Sequence, residues 1–178
     1  MNALIPNVRV SPESLAIAFF QRSHGQWKSQ RRYYTLQSEK VEEVESFLSV
    51  SFLEAGSPEL IELAALHELE DLAFVAGAKT TWESNYTGTQ RKPSKGSTVF
   101  GVKDNILYRD RGFATTKPVT ATFSFINADT MTLRTEYKGS LFEEELKLIG
   151  EQYRTRQTII SRAGEQLTIG QYLEKRIG

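Results

Sequence analysis

The chain has 178 residues, no cysteine, and 22 basic against 22 acidic side chains. That length can bury a core without covalent staples; the missing cysteine excludes disulfides, thiolate nucleophiles, Cys-ligated zinc and a thioether link from a cofactor to this chain. The zero formal net charge argues against a nucleic-acid partner, no apolar run is long enough to cross a membrane, and two histidines predict no His-rich metal site.

The start, MNALIPNVRVSPESL, lacks a basic stretch followed by an apolar one, so it does not read as a secretory signal. A cytosolic protein of one domain spanning 1–178 is expected, with 1–10 a flexible tail. The first element is a helix: Ser11 is its N-cap and Pro12 its first residue. Leu15, Ala16, Ile17, Phe19 and Phe20 give it an apolar side, and Gly25 stops it. After two strands, WKSQRRYYTL and VEEVESFLSVSFL, a second short helix is predicted from SPELIELAALHEL, with Ser57 as cap, Pro58 at its first position, and Leu60, Leu63, Ala64 and Leu66 to Leu69 facing inward.

Seven further short runs rich in β-branched and aromatic residues follow: AFVAGAKTTWES, STVFGV, NILYRDRGF, VTATFSFI, TMTLRTEY, LFEEELKLI and YRTRQTIIS. Turn residues separate them, among them Lys103-Asp104-Asn105, Lys138-Gly139 and Gly150-Glu151. Residues 85–97, NYTGTQRKPSKGS, read as one long polar loop. The end, TIGQYLEKRIG, is expected to be a short helix. Nearly contiguous strands pair as an antiparallel meander, and a meander of roughly eight to ten strands removes its edges by closing. The predicted class is therefore mainly β: an up-and-down antiparallel barrel with the first helix outside it or over one end. Such a barrel holds one small ligand.

Period-two alternation then selects the inward residues. Glu144 shares a face with Phe142, Leu146 and Leu148, while Glu143, Glu145 and Lys147 share the other. A carboxylate among core positions is costly unless paired, and Arg154 and Arg156, together on one face of the next strand, are natural partners. The arrangement suits a ligand with acidic arms and N–H donors; a purely structural ion-pair network fits the alternation as well. Trp82 alternates with Ala76, Ala78 and Thr80, which either leaves room for a planar ligand or makes a core tryptophan. Trp27, Ser29 and Arg31 share one face of their strand. Arg134 and Glu136 read as a solvated pair, and His24 and His67 as helix-end residues. No Ser-His-Asp arrangement is visible.

Several segments, in order and at matching spacing, are similar to one family. They are WKSQR at 27–31, GSTVFG at 96–101, ILYRDRGFA at 106–114, LRTEY at 133–137 and YRTRQ at 153–157. The chain resembles the S/U-type phycobiliprotein chromophore lyases (the CpcS/CpeS/CpcU group) from about Phe19 to its end. Tyr33 and Tyr34 stand where many S-type members have histidines, and Gly88 where some have a second tryptophan, so it looks more like the U/V branch. The resemblance implies a calycin barrel similar to lipocalins and fatty-acid-binding proteins. It also implies the activity: attachment of an open-chain tetrapyrrole, a phycobilin such as phycocyanobilin, to a cysteine of a phycobiliprotein, with no other cofactor. The functional positions it carries over are Trp27, Arg31, Trp82, Arg154, Arg156 and Glu174 for binding and Glu144 for catalysis, Glu174 being expected in a C-terminal helix. The implied partners are an acceptor subunit of phycocyanin, allophycocyanin or phycoerythrin type and a second copy or a related lyase as dimer partner. The implied place is the cyanobacterial cytosol, or a plastid stroma. Two other functions fit the same barrel: an accessory subunit of a heteromeric lyase, and a fatty-acid carrier.

Overall fold

A computed structural model describes residues 10–88, 90–112 and 115–178; the expected tail thus lies outside the described residues except for Val10, as do Thr89 in the polar loop and Phe113 and Ala114 at the end of the ILYRDRGFA run. Two helices, α1 (Pro12–Ser23) and α2 (Pro58–Leu66), accompany ten strands: β1 (Gly25–Thr35), β2 (Lys40–Glu54), β3 (Ala76–Tyr86), β4 (Ser94–Lys103), β5 (Ile106–Arg109), β6 (Val119–Asn127), β7 (Thr130–Tyr137), β8 (Ser140–Ile149), β9 (Tyr153–Arg162) and β10 (Glu165–Arg176). Every strand pairs antiparallel with its neighbours in the chain, and β1 pairs with both β2 and β10, so the ring is closed.

The hairpin turns follow from local chemistry. Between β7 and β8, Lys138 and Gly139 both have positive φ, 47° and 77°, the geometry that matches the right-handed twist of the flanking strands. Asn127 accepts from the Asp129 backbone N–H at 2.9 Å and shapes the β6–β7 turn. The polar loop is shorter than 85–97, because Asn85 and Tyr86 continue the β2–β3 ladder and Ser94 to Ser97 the β3–β4 ladder.

The C-terminal segment corrects the sequence reading: it is a strand, not a helix. Ile169, Tyr172 and Leu173 have helical spacing, but β1 and β9 each present an unpaired edge. β10 satisfies both, pairing Ser29 with Glu174 on one side and Glu174 with Arg154 on the other. Backbone pairing on both sides outweighs a weak helical pattern. Arg176 fastens the end, donating to the carbonyl oxygens of Arg22, His24 and Glu151.

The first helix closes one end of the barrel. Ser11 caps it through Ser14 N–H at 3.1 Å, and Ala16, Phe19 and Phe20 are buried among Trp27, Leu48, Val50, Ala78, Val102, Leu107, Phe123 and Met131. Arg22 pairs with Asp129 on the β6–β7 turn. The second helix lies outside, where Leu60, Leu63 and Ala64 join Leu53 and Phe74 in a separate cluster. Its end departs from expectation: Leu66 is exposed, because it lies off the face that carries Leu60, Leu63 and Ala64, and of residues 67–69 Leu69 packs on that cluster. Phe74 lies against Gly101, where a Cβ would come within 2.8 Å of its ring. Apolar packing therefore fills the helix-capped half of the barrel, and the other half sets polar side chains among apolar ones.

Candidate functional site

Above the apolar floor lies a cavity of about 330 Å³. Phe19, Phe20 and Ser23 of α1 form its base, and it is lined higher up by exposed Arg111 and Ser94. The strand register places its polar groups in tiers. The lowest aligns Ser29, Glu174, Arg154 and Leu148 across β1, β10, β9 and β8. The next aligns Arg31, Tyr172, Arg156 and Leu146. The third aligns Tyr33, Gly170, Thr158 and Glu144.

The hairpin of β8 and β9 carries its carboxylate and arginines on the inner side, as alternation requires. The two arginines do not share Glu144. Arg156 donates through Nε at 3.0 Å and through Nη2 to Glu144 Oε1, a diagonal contact between adjacent strands. Arg154 donates through Nε to Glu174 Oε1 at 2.7 Å. Both carboxylates are 1% exposed; Arg156 keeps 23% of its side chain accessible and Arg154 only 8%. Burial opposes ionisation of Glu174, but the Arg154 and Arg156 guanidiniums outweigh it and hold its carboxyl below the usual range. For Arg156, burial works against the charge and the Glu144 carboxylate prevails, pushing its pKa up.

Five guanidiniums line the cavity, Arg31, Arg109, Arg111, Arg154 and Arg156, with Glu144 as the one lining carboxylate among the described residues. Arg31 donates to Ser29 Oγ at 3.1 Å. Arg109 is buried over the Phe100 ring, and that burial lowers its pKa against the pull of Glu144. Arg111 stacks on Trp82 with its guanidinium carbon 5.3 Å from the ring. The Trp82 indole lies across Gly96 on the next strand; a Cβ there would come within 2.6 Å of Cζ2.

Of the seven site residues expected from sequence, Arg31, Trp82, Glu144, Arg154 and Arg156 line the cavity. Glu174 sits behind Arg154, on a strand. Trp27 is fully buried below it, its Nε1 donating to Ser23 O at 2.9 Å, between the Arg154 and Arg176 guanidiniums. Arg134 and Glu136 form the solvated pair expected of them, and His24 and His67 are C-caps. Sequence reasoning missed Arg109, Arg111, Tyr172 and Thr158. Arg109 was within reach, since it alternates with buried Leu107; Tyr172 was hidden by the helical reading of its segment.

A closed ten-stranded calycin-like barrel, capped by a helix and holding a guanidinium-rich cavity, is a small-ligand-binding architecture. The chain belongs to the CpeS-like protein family, whose model matches residues 16–177. A protein of Nostoc sp. that bears the provisional name phycocyanobilin lyase CpcS 2 is 58% identical over 99% of both chains. One of Picosynechococcus sp., provisionally named chromophore lyase CpcV, is 54% identical over 96% of this chain and 86% of its own. A second Picosynechococcus protein, named phycocyanobilin lyase subunit CpcS, is 29% identical over 89% and 84%. Among solved structures, the S-type phycobiliprotein lyase CPES of Guillardia theta has the same fold, with a TM-score of 0.78 and 24% identity over 96% of this chain and 94% of that one.

Proposed function

We propose that this chain is a phycobiliprotein chromophore lyase, which takes a phycobilin of phycocyanobilin type into the cavity and transfers it to a cysteine of a phycobiliprotein subunit. The observation that carries the reading is the count of charges on the wall: five guanidiniums against one carboxylate. A phycobilin has two propionates, which match guanidinium forks, and pyrrole N–H groups, which match Glu144. The planar conjugated rings match Trp82. A fatty acid has a single carboxylate and needs far less of this polar wall.

The chain has no thiol, so the nucleophile is the acceptor's cysteine. Its sulfur adds to the exocyclic ethylidene group: a C–S bond forms, the C=C bond is consumed, and the thiol proton ends on the tetrapyrrole. Nothing leaves and nothing is oxidised. The residues of this chain hold the ligand in one orientation, so that the thiol meets one face. In this reading Glu144, held by Arg156 on the cavity wall, favours protonated pyrrole nitrogens and makes the conjugated system a better electrophile. The lyase would act in a cyanobacterial cytosol, or in a plastid stroma.

A relative named as a lyase subunit supports a second reading, in which this chain assists a related lyase within a dimer. One experiment separates the readings. The purified chain is mixed with phycocyanobilin, then with a single-cysteine acceptor subunit, and the denatured acceptor is examined for bilin fluorescence with zinc. A visible band on mixing and labelled acceptor support the lyase. A band without labelling, restored by a related lyase, supports the subunit. No band, with fatty acid bound instead, defeats both.

A further inference from the structure

Tyr172 stands at the centre of the second tier. It faces Arg31 on β1 and Arg156 on β9, with their guanidinium carbons 5.0 Å and 5.4 Å from its ring centre. The Tyr33 ring meets it edge-on at 5.7 Å. The ring thus stands between two arginines on next-nearest strands, in contact with both guanidiniums.

The backbone makes room for the tip of this side chain. A Cβ at Gly170 would lie 2.9 Å from the Tyr172 hydroxyl oxygen, 3.2 Å from Cζ and 3.4 Å from Tyr33 Cδ1. Gly170 is not among the residues with positive φ, so its backbone does not require glycine; a side chain there would instead displace the phenol. A phenylalanine would stack on both guanidiniums equally well, and a buried hydroxyl is costly without a partner. Yet the phenol is 7% exposed and on the cavity wall, with the Tyr33 and Thr158 hydroxyls as polar neighbours. Burial pushes its pKa up, and the neighbouring Arg156 charge only partly opposes this; the group is therefore a neutral O–H donor at physiological pH.

We infer that Tyr172 is a ligand-contacting residue of this cavity, its O–H donating to an acid arm of the ligand that Arg31 and Arg156 hold by charge. The inference rests on the bilin reading. It assigns one propionate to the second tier, flanked by two forks and one phenol.

The test compares phycocyanobilin as the free acid with its dimethyl ester, in which both acid arms are blocked. Both are titrated by absorbance into the full chain, into Tyr172→Phe, which keeps the ring, and into Gly170→Ala, which keeps the hydroxyl but displaces it. Thermal unfolding verifies that each variant is folded. A charge-assisted hydrogen bond predicts a loss of roughly 10- to 100-fold in free-acid affinity for both variants. Ester affinity should stay within about 3-fold of the parent protein. Equal losses for acid and ester, or free-acid binding as tight in Tyr172→Phe as in the parent, overturn the inference. A parent protein that binds neither form overturns the bilin reading itself.

Discussion

Arg154 Nε donates to Glu174 Oε1 at 2.7 Å across the β9–β10 ladder, with both side chains sealed inside the barrel. The pair lies between fully buried Trp27, whose ring is 5.0 Å from the guanidinium, and the cavity, which Arg154 itself lines. It lies beneath the other polar tiers, where Arg156 and Glu144 line the cavity.

Glu174→Gln should therefore be chiefly a stability variant. Removing one partner of a buried pair leaves the other charge uncompensated, a cost of about 3 kcal/mol at the lower end of the usual range, since the amide keeps an acceptor. For a chain of this size that lowers Tm by roughly 6–12 °C. Calorimetry reads it; an unchanged Tm would mean that the pair contributes nothing net.

The same carboxyl sets an acid dependence. Its folded-state pKa is depressed, so its contribution is complete above the unfolded value of about 4.3 and disappears as pH falls through the folded value. The stability gap between the parent protein and Glu174→Gln should thus be full near neutrality and shrink below about pH 4. Urea unfolding across that range reads the gap. A gap independent of pH would show that Glu174 is not ionised in the fold.

Trp82 and Gly96 make a third test. A valine at 96 suits a strand, but its Cβ would meet the indole at 2.6 Å, so the ring must turn away from its place over the strand. Trp82 lines the cavity and Trp27 is sealed beneath it; quenching of tryptophan emission by a bound bilin should come mainly from Trp82. Gly96→Val should shift the emission and weaken bilin binding several-fold. Parent-like quenching and affinity would place the ligand away from this wall.

The inner side of the barrel was readable from alternation alone wherever the strand itself was recognised. Glu144, Arg154 and Arg156 point inward because side chains on a strand alternate, whatever they bind. The pairing was not readable, because Arg154 finds its carboxylate on a strand that the Ile169, Tyr172 and Leu173 spacing presents as a helix. Local pattern cannot register that two distant edges await a partner. Trp27 and Trp82 show the same limit: both face inward, and only the position of α1 decides that one is sealed beneath the cavity and the other lines it.

The difference between the deeper and the more accessible pair extends to the arginines. Arg156→Ala should raise the bilin Kd by roughly 10- to 100-fold, the loss of a charge-assisted partner for a propionate. Arg154→Ala should raise it less, because only 8% of its side chain is accessible against 23% for Arg156, and should cost more in Tm. Absorbance titration beside thermal unfolding separates the two. If the double variant folds and binds as tightly as the parent, neither arginine belongs to the site.

Glu144→Gln separates binding from transfer. Glu144 Oε1 accepts two N–H groups from Arg156, so a purely structural role predicts that the amide loosens Arg156, lowers stability and weakens binding, while transfer from the bound state stays near normal. A role in protonating or orienting the tetrapyrrole predicts the reverse: binding is largely kept, the absorption of the bound bilin moves towards the unprotonated form, and transfer slows by roughly 100-fold, within the range of general acid–base contributions. We expect the second pattern. Glu144 is on the cavity wall, whereas Glu174, the carboxylate with the same kind of arginine partner, is set behind it. The amide keeps the shape and an acceptor oxygen for Arg156, so only the charge is removed. Single-turnover transfer to an acceptor subunit, after the spectrum of the complex has been recorded, decides it. Parent-like transfer with a parent-like spectrum would leave Glu144 as the anchor of Arg156 and nothing more.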